Sequence, residues 1–118
     1  MTENEFPHDM QMISTSQWLT FFADLSRYQG QLVSLEIDED LLADDPASGK
    51  APLLGVEYDK HKGVTISTGS GTAAQTYTVK TPDLVWAIHD EHGKLLAVET
   101  IGRDGRKLIL RLGPQREA

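Results

Sequence analysis

The sequence has no cysteine. That absence removes disulfides, thiolate catalysis, zinc ribbons and iron–sulfur clusters together. It fits a reducing compartment. No apolar run approaches the roughly 20 residues that a membrane-spanning helix needs. Residues 1–12 are polar and acidic, without the basic start and apolar centre of a secretory signal. These absences lead to the expectation of a cytoplasmic protein with no membrane partner. Basic charge is scarce in the first half: residues 1–59 hold 2 basic and 12 acidic residues. Residues 60–118 hold 9 basic and 6 acidic, and the whole chain carries a net charge of −7. Such an acidic surface repels phosphate backbones and disfavours general nucleic-acid binding.

What remains is an ordinary globular composition, 39% hydrophobic and 25% charged. At 118 residues the chain is one domain long. A chain of this size buries about 65% of its extended surface, enough for a single core. We expect a mobile tail over residues 1–12, one globular domain over 13–113, and a polar tail over 114–118. No internal repeat or low-complexity block interrupts this plan.

The domain opens with Ile13-Ser14-Thr15-Ser16-Gln17-Trp18. Ser14 and Gln17 have the S-x-x-Q spacing of a capping box, and Ile13 and Trp18 stand where a hydrophobic staple would close it. Trp18, Phe21, Phe22, Leu25 and Tyr28 then recur at helical spacing, predicting a helix over residues 15–29 with one apolar face. Gly30 suits the left-handed residue that ends a helix.

After Gly30 the period changes to two. Val33, Leu35 and Ile37 alternate with Ser34, Glu36 and Asp38, as in a half-buried strand. Residues 39–52 read as a loop. Further strands are predicted over residues 53–60, 64–68, 75–80, 84–89, 95–101 and 107–112. In the second of the seven, Leu54, Val56 and Tyr58 share a face. Residues 84–89 are apolar on both sides, which predicts the most buried strand. Asp104-Gly105 is a hairpin signal for the last pair.

The resulting class is α+β, mainly β. One N-terminal helix precedes about seven antiparallel strands. This order resembles a small Sm-like or SH3-like barrel with an added C-terminal hairpin; a strongly bent open sheet is the alternative. Either would gather Trp18, Phe22 and Trp86 near one core. Sm-like barrels that bind RNA carry a Gly-centred basic motif near their fourth and fifth strands. Here the region reads Val79-Lys80-Thr81-Pro82-Asp83, without an Arg-Gly pair.

Few residues suggest chemistry. His89-Asp90-Glu91-His92 holds metal-ligand types, but on a turn where side chains diverge. His89 and His92 are the metal candidates, with His61 as a further rim residue of a ligand site at the sheet or barrel mouth. Thr68-Gly69-Ser70-Gly71-Thr72 lacks the G-K-[ST] that a phosphate-binding loop requires. No G-x-S-x-G elbow is present. Carboxylates cluster in an exposed run, where solvent keeps their pKa values ordinary and unsuited to paired acid–base work. No residue is assigned a catalytic role and no cofactor is implied.

Six acids fall between Glu36 and Asp45, while Arg103, Arg106, Lys107, Arg111 and Arg116 gather late. The leading functional expectation is a non-catalytic protein-interaction or regulatory module. Asp38, Glu39, Asp40, Asp44 and Asp45 would steer a basic protein partner. The opposite charges could also pair head to tail between copies, or a homodimer could form through edge strands. A small-ligand or metal-binding protein is the alternative. An acidic mimic of nucleic acid is a third reading, for which −7 is a modest charge.

The run Trp18-x-x-Phe21-Phe22-x-x-Leu25-Ser26-Arg27, then Gly30 and the strand at residues 32–37, resembles a family of small bacterial proteins of unknown function. Residues 53–67, residues 77–86 and the Asp104-Gly105 hairpin extend the resemblance over roughly residues 13–112. The family usually places a His before the glycine, where this chain has Tyr28-Gln29. The resemblance implies no established activity, catalytic residue or cofactor.

Overall fold

The fold was obtained as a computed structural model, which describes residues 9–37, 40–41, 50–69 and 74–112. One helical segment lies, in chain order, between the first and second strands of an antiparallel sheet. The described residues form nine strands: β1 (Asp9–Met12), β2 (Leu32–Ile37), β3 (Asp40–Leu41), β4 (Lys50–Asp59), β5 (Gly63–Thr68), β6 (Gln75–Val79), β7 (Pro82–His89), β8 (Leu95–Gly102) and β9 (Lys107–Arg111). β1 and β3, with four and two residues, are too short for alternation to reveal. β1 therefore lies within the stretch that the sequence had assigned to a tail.

The helical segment spans the expected residues in three pieces. α1 (Trp18–Asp24) is flanked by 3-10 turns at Thr15–Gln17 and Leu25–Tyr28. The capping box is not made. Ser14 has extended backbone angles but caps with no side-chain bond, and its hydroxyl lies 3.3 Å from that of Ser16. Ile13 and Trp18 do meet, because the Trp18 indole N–H donates to the Ile13 carbonyl at 2.9 Å. Gly30, at φ 92°, turns the chain out of the helix.

The strand order is β1-β7-β8-β9-β2-β4-β5-β6, with β3 added beside β2. Each neighbouring pair is antiparallel. The path does not return on itself, so the sheet is strongly bent and no barrel closes. The expected added hairpin, β8–β9, lies in the middle of the sheet. β6 and β7 stand near opposite ends of the order, yet only Lys80 and Thr81 separate them in sequence. A two-residue link reaches no more than about 10 Å, so the sheet must curl until its ends nearly touch. β6 accordingly packs beside β8, and the Arg103 N–H donates to the Thr81 carbonyl at 2.8 Å. A seam is left where ladder bonds would have closed the barrel.

The inner face and the helix share one core. Trp18, Phe22 and Leu25 pack with Val33, Leu35, Leu53, Val56, Val64, Ile66, Val85, Val98, Leu108, Leu110 and Leu112. Tyr58 lies edge-on to Trp18, their ring centroids 5.7 Å apart, in the geometry that aromatic quadrupoles favour. Two expectations fail here. A bulge between Leu53 and Gly55 shifts the register of β4. Leu53 and Val56 therefore face inward, while Leu54 is exposed. β7 is also not the most buried strand: Val85 and Ala87 are buried, but Trp86 and Ile88 are half-buried and Leu84 is exposed. Trp86 belongs to the opposite face of the sheet and is absent from the core.

Candidate functional site

The sequence-nominated histidines do not converge. His89 ends β7, opposite Leu95 of β8 and Asp9 of β1. His92 sits exposed on the following turn, its Nε2 3.7 Å from Glu91 Oε2. His61 lies on a different hairpin. Among the described residues no group of three or more His, Cys, Asp or Glu side chains could hold a metal ion.

Their neighbours explain the turns. The Asp59 carboxylate accepts the N–H groups of His61 and Lys62 at 2.7 and 3.1 Å. Those bonds, His61's first, hold its pKa below the usual carboxylate range. The Asp90 carboxylate accepts the N–H groups of His92 and Lys94 at 2.8 and 2.9 Å. There the Lys94 bond is the largest cause of a lowered pKa. These carboxylates are turn-builders, already occupied by backbone donors. Gly63 completes the first turn at φ 91°, where a Cβ would stand 2.0 Å from the Val79 carbonyl oxygen.

Of the acidic run, Asp38, Glu39, Asp44 and Asp45 lie outside the described residues. Asp40 is placed by its backbone pairing with Ile37. The strand leading into the run lies beside the basic hairpin. Ile37 is opposite Leu108, and Arg111 contacts the Glu36 carboxylate from Nε at 2.8 Å and from Nη2 at 3.4 Å. Some of the opposite charge that sequence suggested could join two copies is thus joined within one chain.

Sequence reasoning missed the outer face of the sheet. Residues directly opposite in antiparallel strands point to the same side. One outer row therefore reads Met12, Trp86, Glu99, Ile109, Glu36 across β1, β7, β8, β9 and β2. The next reads Met10, Ile88, Ala97, Arg111, Ser34. Both rows are apolar at the β1–β7 end and charged toward β2. Met10 and Met12 are 54% and 52% exposed. Leu84, further along β7, is exposed on the same face. β1 is an edge strand, and its Met10-Gln11-Met12 run has none of the Lys or Pro that commonly guard an edge. The sequence signal was present in the two-sided apolarity of β7.

A second feature lies in the seam. A cavity of about 230 Å³ opens there, with Ile37, Val79 and Leu108 among its apolar walls and Lys80, Arg106 and Lys107 among its polar ones.

Residues 9–118 match the model of a family of unknown function, DUF5335. The chain belongs to that family. An uncharacterised protein of Aquifex aeolicus (strain VF5) is 27% identical over 103 residues, covering 86% of this chain and 90% of its own length. No solved structure matches. The family match begins at Asp9, the first residue of β1, so the edge strand lies within the region shared by the family.

Among the described residues, no helix is long and apolar enough to cross a membrane.

Proposed function

We propose that this DUF5335 protein is a non-catalytic protein-interaction module. Its docking surface is the β1 edge together with the outer face of β1 and β7, and its partner presents an extended segment with alternating apolar side chains. The observation that carries the reading is the coincidence of two features: an edge strand, open among the described residues, whose Met10-Gln11-Met12 run carries no charge, and an apolar face continuing from it. An added strand would take main-chain hydrogen bonds from β1, and its apolar side chains would cover Met10, Met12 and Trp86. Trp and Met are residues enriched at protein interfaces, and the charged border formed by Glu99, Arg111 and Glu36 is the polar rim such patches carry. The acidic residues Asp38, Glu39, Asp40, Asp44 and Asp45 would add long-range steering toward a basic partner, an effect that salt screens. The absence of cysteine supports action in the cytoplasm.

The test is capture from host lysate by immobilised wild type and by the Met10→Lys/Met12→Lys double variant. The expected result is a discrete partner held by the wild type in high salt and lost by the variant. Hydrogen exchange on the purified complex should then show new protection over residues 9–13 and 84–88. An identical captured set for both proteins would overturn the reading. Self-pairing of β1 about a twofold axis would make the occupant a second copy, visible as a doubled mass that the same variant halves.

A further inference from the structure

We propose that the occupant of the β1 edge is a second copy of this chain, paired antiparallel about a twofold axis through Gln11. The proposal rests on the docking reading above and names its partner. That reading calls for an extended segment with alternating apolar side chains. β1 is itself such a segment, with Met10 and Met12 exposed on the outer face and Gln11 between them. The ladder shows which main-chain groups of β1 are available. In an antiparallel pair of strands, opposed residues that exchange both hydrogen bonds alternate with opposed residues that exchange none. The Ile13 N–H donates to the Val85 carbonyl at 2.8 Å. Given the register Met12↔Trp86, Gln11↔Ala87, Met10↔Ile88, the bonded pair two residues back from Ile13 is Gln11 with Ala87. Met10 and Met12 therefore turn their N–H and C=O groups away from β7. Those four groups form the edge, which is open among the described residues.

One self-pairing register satisfies all four. With Met10 opposite Met12 of the second copy, and Met12 opposite its Met10, each such pair exchanges both bonds. A shift of one residue sets Met10 against Gln11, whose groups are already used by Ala87. A shift of two pairs one methionine with itself and carries the other past the end of this four-residue strand. The side chains agree with the same register. Directly opposed residues share a face, so the outer rows join across the axis. One runs Trp86, Met12, then Met10 and Ile88 of the second copy; the other is its twofold mate. On the opposite face the two Gln11 side chains meet at the axis, and an amide both donates and accepts. Charge permits the contact as well. Each copy carries −7, which opposes association except through an uncharged surface. Met10-Gln11-Met12 has no charge. The acids preceding it are Glu3, Glu5 and Asp9. The register sets Asp9 opposite Ile13 of the second copy, and residues 13–23 contain no charged residue.

The test is sedimentation equilibrium of the full-length protein from ~5 µM to ~1 mM. One short strand per copy makes a contact smaller than stable interfaces, so the expected Kd lies between about 10 µM and about 1 mM. Met10→Lys/Met12→Lys sets lysines opposite one another and should weaken the dimer at least about tenfold. The register is read by cross-linking, which a chain without cysteine permits. The two copies of residue 11 form a non-bonded pair, with Cα atoms about 4.5 Å apart, within disulfide reach. Gln11→Cys should therefore give a disulfide-linked dimer on mild oxidation, at concentrations where Thr76→Cys, exposed on β6, does not. A wild type that stays monomeric to ~1 mM overturns the self-pairing. So does a dimer that the lysine variant leaves intact, or Gln11→Cys linking no faster than Thr76→Cys. The docking reading then answers to its own test. A host protein captured by wild type and lost by the lysine variant keeps it, and an unchanged captured set removes it.

Discussion

The two ends of the outer sheet surface treat water differently. On β5 and β6 the outward residues are hydroxyl-bearing and pair with one another: Thr65 with Thr78 at 3.3 Å, and Ser67 with Thr76 at 3.1 Å. On β1 and β7, in the same sheet, the outward residues are Met10, Met12, Trp86, Ile88 and Leu84. The polar end shows what a solvent-facing strand pair in this chain looks like. The apolar end departs from that pattern on the strand next to an open edge. Scattered exposed apolar residues need no explanation, but a contiguous set in register with an unguarded edge marks an interaction surface.

Substitutions can separate what holds the fold from what the outer face does. The largest effect should come from Phe22→Ala. Phe22 is fully buried at the centre of the core, and the truncation should cost about 3–5 kcal/mol by chemical denaturation. That is a large share of the ~5–15 kcal/mol available to a domain. Gly63→Ala follows, at roughly 2–4 kcal/mol, because positive φ and the close Val79 carbonyl both oppose a side chain. Thr100→Val should act in the other direction. Thr100 faces the core between Val85 and Leu108 in register, and its buried Oγ1 has no hydrogen-bond partner among the described residues. Replacing that hydroxyl by a methyl should stabilise by about 1 kcal/mol, read as a raised Tm.

Met10→Lys/Met12→Lys should change stability by no more than about 0.5 kcal/mol per site, the range for surface positions. A larger loss would mean that these residues hold the fold, and the contrast between the two outer surfaces would lose its functional meaning. The smallest effect concerns acid. Asp59 and Asp90 have lowered pKa values in the fold. Their contribution is complete above the ordinary carboxylate pKa of ~4 and is lost as pH falls through the lowered folded values. Asp59→Asn/Asp90→Asn should therefore lower Tm slightly at neutral pH and flatten the acid limb of a Tm-against-pH profile, so that the difference from wild type disappears at low pH.

Much of the fold was legible. The helix face from Trp18 to Tyr28, the alternation of Val33 and Leu35, and the alignment of Leu108, Leu110 and Leu112 each imposed a period that the core then used. What escaped has physical reasons. β1 has too few residues to display a period, and its partner strand β7 lies more than 70 positions away. The Leu53–Gly55 bulge changes a face without leaving a mark in composition. Two-sided apolarity in β7 was read as burial on both sides, whereas its outer side is partly open. The seam residues Lys80, Arg106 and Lys107 come together only because a two-residue link draws the ends of the sheet toward each other, and periodicity does not encode strand order.

The most direct test is amide hydrogen exchange across β1, comparing free protein with protein carrying its captured partner. The account predicts fast exchange at the solvent-facing amides of residues 9–12 in the free protein. On binding, protection should rise there and over residues 84–88, with residues 65–68 and 75–79 unchanged. Protection that appears on β5 and β6 instead, with β1 unaffected, would contradict it.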